Sequence, residues 1–157
     1  KNTLKRSSTR KMSLVSPALK TDREVKIYQD QLTKTLKSIG VNEHFFTTYL
    51  CTTYGRNSDL ILEKISSFEG ETFPEKLIRS ELWYCINHEM TNTLADFFVR
   101  RTARLYFDIG SVYEFFELIL KDCIEYLGWD NNRVILERKI MNELLQDATQ
   151  YYDKEFE

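Results

Sequence analysis

Between Ile86 and Asp108 the chain reads INHEMTNTLADFFVRRTARLYFD, which sets His88, Glu89, Asp96, Arg100, Arg101 and Arg104 among Phe97, Phe98, Val99, Leu105, Tyr106 and Phe107. Several chemistries use such residues. Three guanidiniums this close together could grip a phosphate. Arginines among rings could read a nucleic acid. A carboxylate facing a guanidinium could hold two helices in register. The adjacent His88 and Glu89 also invite a metal or acid–base role.

The residues favour the helix-locking role. Asp96, Glu89 and Glu81 lie near enough to neutralise the arginines, whereas anion sites prefer uncompensated charge or helix N-terminal amides. The run LADFFVRR is too apolar to lie in a major groove, and the pI is near 5.8, so nucleic acid is set aside. There is no HExxH, and neighbours on a helix point about 100° apart. His88 is therefore expected to be structural, bonded to Glu81 or Glu89. No GxGxxG, GKS or GKT occurs, so no nucleotide loop is visible. Tyr54, Tyr84, Tyr106, Trp83 and Trp129 fall at helical spacings typical of core.

These side chains need helices to position them. Ile78, Leu82 and Cys85 form an apolar stripe whose next position is Glu89; Leu94, Phe97, Phe98 and Leu105 form another that contains Arg101. The expectation is a Glu89–Arg101 pair in a dry seam between two helices. Asp96, Arg100 and Arg104 follow at i, i+4 and i+8 on another face, where Asp96 supports Arg100.

Strand-like alternation is almost absent, so the expected fold is all-α: a compact orthogonal bundle of about seven helices after an irregular N-terminal arm. The arm covers 1–21, with an extended piece at Met12–Val15. A first helix runs from Asp22 to about Ile39 on Val25, Tyr28, Leu32, Leu36 and Ile39. Asn42 caps a second, which carries Phe45, Phe46, Tyr49 and Leu50 and ends at Tyr54. Asn57 or Ser58 caps a third through Phe68, and Pro74 opens a fourth to about Glu89. Thr93 with Asp96, and Ser111 with Glu114, read as capping boxes for a fifth helix to Arg104 and a sixth to Leu127. Asp130 caps a seventh with Ile140, Leu144, Ala148 and Tyr151 on one face. Gly40, Gly55 and Gly128 close helices; Gly70 and Gly110 fall in links.

The 157 residues, with 42% hydrophobic and 13% aromatic content, suffice for one folded domain. The net charge is -2. Residues 1–26 hold eight cationic side chains against Asp22 and Glu24, a net of +6, which leaves -8 on the remainder. Cys51, Cys85 and Cys123 lack metal or redox spacing, so buried thiols in a reducing, cytoplasmic setting are expected. No stretch approaches the roughly eighteen apolar residues of a membrane span. The chain starts without a signal peptide or an initiator Met, which suggests a piece of something longer.

Three segments together carry a resemblance: SIGVNEHFFTTYLCTTYG, RSELWYCINHEMTNTLADFFVRRTARLYFD and SVYEFFELILKDCIEYLGWD. In this order they resemble the C-terminal helical domain of aerobic, FAD-dependent glycerol-3-phosphate dehydrogenases and of the related α-glycerophosphate oxidases, from about Thr21 to Tyr152. Matching positions include Glu81, Tyr84, His88, Glu89, Asp96, Arg100, Arg101, Thr102 and Arg104; TNT at Thr91–Thr93 is a departure.

The resemblance implies a parent that oxidises sn-glycerol 3-phosphate to dihydroxyacetone phosphate and passes electrons through FAD to a quinone, or to oxygen in the oxidases. It implies that the flavin and substrate motifs lie N-terminal to this domain. No catalytic, cofactor-binding or metal-binding residue is then assigned to residues 22–157, and residues 1–21 become an arm or linker from the flavin domain. Glu81, His88, Glu89, Asp96, Arg100, Arg101 and Arg104 become a structural or interdomain ion-pair cluster. The implied partner is the flavin domain of the same chain, with room for a homodimer and for a peripheral seat of the parent on the inner face of the cell membrane. The competing expectation is a free-standing helical protein-interaction module.

Overall fold

The structure is a computed structural model that describes residues 18–68 and 72–150. The expected extended piece at Met12–Val15, Gly70 and Tyr151 lie outside these residues. Among the described residues every regular element is helical: α1 (Asp22–Ser38), α2 (His44–Tyr54), a 3-10 turn (Gly55–Asn57), α3 (Ser58–Ile65), α4 (Phe73–Glu89), a π-helical segment (Asp96–Arg101), α5 (Arg104–Phe107), α6 (Ile109–Leu127) and α7 (Asn131–Thr149). The all-α expectation of about seven helices is met. They form two compact units that divide after Leu60.

The first unit is built on α1 and α2. Thr21 caps α1 by accepting the Glu24 N–H at 3.2 Å, and Tyr28, Leu32 and Leu36 form its buried stripe. Val25 is only half-buried and Ile39 exposed, so the stripe is shorter at both ends than its periodicity suggests. Gly40, at φ +87, lets the chain leave α1 in a Schellman turn: Val41 N–H reaches Leu36 O at 2.9 Å and Gly40 N–H reaches Lys37 O at 3.1 Å. Asn42 does not cap α2. Glu43 occupies that position without a side-chain cap bond. Ser58 likewise caps nothing, because its hydroxyl donates to Leu50 O at 2.8 Å and Gly55 O at 2.7 Å. That turn draws Tyr28 and Asp59 together, the Tyr28 hydroxyl donating to Asp59 Oδ1 at 2.9 Å with the Arg56 guanidinium over its ring.

In the second unit, Pro74 stands in the first turn of α4 as expected, behind a capping box that the sequence reading missed: Glu75 returns to the Thr72 N–H at 2.8 Å. Asp108, not Ser111, caps α6, so Gly110 belongs to that helix instead of a link. Gly128, at φ +65, closes α6, and Asp130 caps α7 by accepting the Arg133 N–H at 2.8 Å. The core joins Ile61 and Ile65 of α3, Ile78, Leu82 and Cys85 of α4, Leu94, Phe97 and Phe98, and Val112, Ile119 and Cys123 of α6. On α7 the buried stripe is Glu137, Met141 and Leu145, one residue on from the expected Ile140 and Leu144.

Candidate functional site

The second unit buries three carboxylates and gives each an arginine. Asp122 of α6, 1% exposed, receives Arg79 of α4 in a fork, Nε to Oδ2 at 2.6 Å and Nη2 to Oδ1 at 2.8 Å. The same guanidinium lies 4.4 Å from the centre of the Phe68 ring. Glu137 of α7 accepts Arg133 from its own helix at 2.8 Å. Its other oxygen accepts the Leu94 N–H at 2.9 Å, which caps the start of the next turn of backbone from forty-odd residues away. Glu81 of α4, with no exposed side-chain surface, accepts Arg104 Nη2 at 2.6 Å. Arg104 Nη1 also donates to Ser111 Oγ at 3.1 Å, so this pair ties α4, α5 and the start of α6.

The expected seam pair is different. Arg101 and Glu89 do approach, but at 3.9 Å and with 42% and 28% of their side chains exposed. The contact is wet, and the dry pair is Glu81–Arg104. The cause lies in the backbone. Between Asp96 and Arg101 the helix widens to π geometry, and the Thr102 N–H and hydroxyl both reach Phe97 O, at 3.0 and 2.8 Å. A π turn holds an extra residue compared with an α turn, so Arg101 lags behind the stripe and faces out. Ala103 then adopts φ +53, and α5 restarts with Arg104 and Leu105 turned inward. The fifth helix therefore does not run through to Arg104.

The remaining predicted residues lie on the surface around this break. Arg100 pairs with Asp96 at 2.5 Å and is 72% exposed. Thr93 Oγ1 accepts the Asp96 N–H at 2.8 Å, but Asp96 returns to the Asn92 N–H and not to that of Thr93, so only half of the expected box forms. Burial alone would push the Asp96 carboxyl up; bonds from Thr93, Asn92 and Arg100 outweigh it and hold the group below its ordinary value. His88 is exposed. Its ring stacks on Tyr84 at 5.0 Å and meets Trp83 edge-on at 5.7 Å, rather than bonding to either glutamate among the described residues.

Arg79, Asp122, Arg133 and Glu137 did not stand out in the sequence. Their signal was present: Asp122 and Glu137 occupy positions in otherwise apolar helical stripes, where a charge must bring its own partner.

The described glycines serve helix ends or, at Gly110, the first turn of α6, and nothing among them forms a phosphate cradle. The buried guanidiniums already bind carboxylates. Among the described residues no group of His, Cys, Asp and Glu could hold a metal ion, and no helix is long and apolar enough to cross a membrane. The three thiols are buried and free. Burial pushes Cys85 up, reinforced by Glu89 and Glu81, and pushes Cys123 up to about 12, reinforced by Asp122 and Glu137. In the first unit an open groove is lined by Leu19, Val25, Thr52, Thr53, Tyr54 and Arg56. The second unit is a helical assembly whose buried carboxylates and arginines hold its own elements together.

The chain belongs to the family described as the C-terminal domain of alpha-glycerophosphate oxidase, which matches residues 9–134. It is 36% identical over 98 residues to an aerobic glycerol-3-phosphate dehydrogenase of Bacillus subtilis, covering 60% of this chain and 18% of that protein. To the enzyme of the same name from Staphylococcus saprophyticus it is 29% identical over 120 residues, 76% of this chain and 21% of the relative. The chain thus spans about a fifth of the length of these relatives. A solved structure, the glycerol-3-phosphate dehydrogenase from Bacillus halodurans complexed with FAD, shares the fold with a TM-score of 0.67 at 24% identity, over 83% of this chain and 27% of that one.

Proposed function

We propose that this chain is the C-terminal accessory domain of an FAD-dependent glycerol-3-phosphate dehydrogenase, with no reaction of its own. The parent oxidises sn-glycerol 3-phosphate to dihydroxyacetone phosphate and sends the electrons through FAD to a quinone. One observation carries the reading: a family match over residues 9–134, in a chain whose buried charges are committed to internal pairs. FAD then belongs to the N-terminal flavin domain, for which residues 1–21 serve as arm or linker. Glu81–Arg104 acts as an internal anchor, while His88, Glu89, Asp96, Arg100 and Arg101 lie on the side offered to the flavin domain or a partner subunit. A homodimer, and a cytoplasmic parent seated peripherally on the inner face of the cell membrane, belong to the same reading, since a quinone acceptor is dissolved in the bilayer.

The test is to retrieve the native protein with an antibody against this domain. The expected product is a chain about three and a half times as long as this one, as the relatives' coverage suggests, with a flavin spectrum and sn-glycerol 3-phosphate oxidation. A free chain of 18.7 kDa without flavin would establish the interaction module instead.

A further inference from the structure

The single turn α5 has two opposite halves. Arg104 ends on Glu81 and Ser111, and Leu105 is 3% exposed. Tyr106 and Phe107 follow at once and stand out at 66% and 87%. Isolated exposed rings on a loose loop would need no explanation. Here the backbone beneath them is held: Tyr106 and Phe107 N–H bond to Ala103 O at 3.1 and 3.2 Å, and Asp108 N–H bonds to Arg104 O at 2.8 Å. A fully buried carboxylate and a left-handed alanine are thus used to hold one helical turn in place. Two large rings on a pre-ordered backbone are the material of a binding hot spot, because little ordering entropy is lost when they are covered.

We infer that Tyr106–Phe107 is a docking knob, and that its occupant is the flavin-bearing portion of the same long chain; this rests on the function proposed above. Area argues for a tethered partner. Two rings bury about 150–250 Å² each, well short of the roughly 800 Å² per partner that a free association needs. A covalently linked domain supplies its own high effective concentration, so a small knob suffices. The relatives, with about four-fifths of their length outside the matched part, have the chain to provide the receiving pocket.

Hydroxyl-radical labelling of the native full-length protein tests this, with the same protein unfolded in urea as the reference. Phe107, bare in the domain itself, is expected to label about fivefold less in the native protein than in the unfolded one, as an interface core would. Phe107→Asp should return Tyr106 to the unfolded level. Equal labelling of Phe107 in the two states overturns the inference. So does protection that disappears on dilution together with a dimer, which would make a second copy the occupant. A protein that oxidises sn-glycerol 3-phosphate yet labels fully at Phe107 defeats the knob alone; a native chain with no flavin portion defeats the proposed function as well.

Discussion

Glu81 is fully buried, and the Arg104 guanidinium meets its carboxylate at 2.6 Å. Arg104→Ala is expected to lose about 3–5 kcal/mol by taking the guanidinium away from a buried carboxylate. Arg101→Ala, which breaks a wet 3.9 Å contact, should cost no more than about 1 kcal/mol. Urea unfolding of the two variants checks the ranking, and a larger loss at Arg101 would contradict the geometry. Asp96 has a pH consequence. Its native carboxyl titrates below the ordinary value of 3.8, so on acidification the unfolded chain takes up that proton first. The stability it contributes is complete above the ordinary value and declines as pH falls through the lower native one. Asp96→Asn should therefore flatten the acid limb of a stability-versus-pH curve. The thiols give a third expectation: Cys85 and Cys123, buried and pushed up, together with buried Cys51, should resist a disulfide reagent at pH near 8 until the chain unfolds.

At the scale of elements, the break at Thr102–Ala103 decides which arginine enters the interior. Ala103 at φ +53 carries a strain that glycine would not, so Ala103→Gly should be neutral or stabilise by up to about 1 kcal/mol. Ala103→Val should destabilise, since a β-branched side chain fits that region worst. Thermal or urea midpoints measure both. Most helices were legible because their stripes and caps are ordinary: Tyr28, Leu32 and Leu36 on α1, Pro74 on α4, Asp130 on α7. The seam pair was not legible, because reading 3.6 residues per turn straight through Asp96–Arg101 carries the stripe of Phe97 and Phe98 on to Arg101, which the π turn leaves outside it. The α7 face was misread by one residue for a related reason. A search for apolar periodicity does not count Glu137 as a member of a stripe, yet that carboxylate is 1% exposed and sets the face.

At the scale of the whole molecule, a net charge of -2 with its positive excess gathered in residues 1–26 gives no broad field for nucleic acid. The purified chain is expected to show no flavin absorbance and no turnover of sn-glycerol 3-phosphate, which spectroscopy and a dye-linked assay would check. Glu137 carries one more consequence. Its carboxylate closes the Leu94 N–H from the last helix of the described structure, so a polypeptide emerging from the ribosome has made the π segment well before it has made the lid for it. Until α7 clears the exit tunnel, the Leu94 N–H must wait without that acceptor. Premature termination anywhere in α6 would then leave a product recognisable to quality-control proteases by its unsettled middle as much as by its missing end.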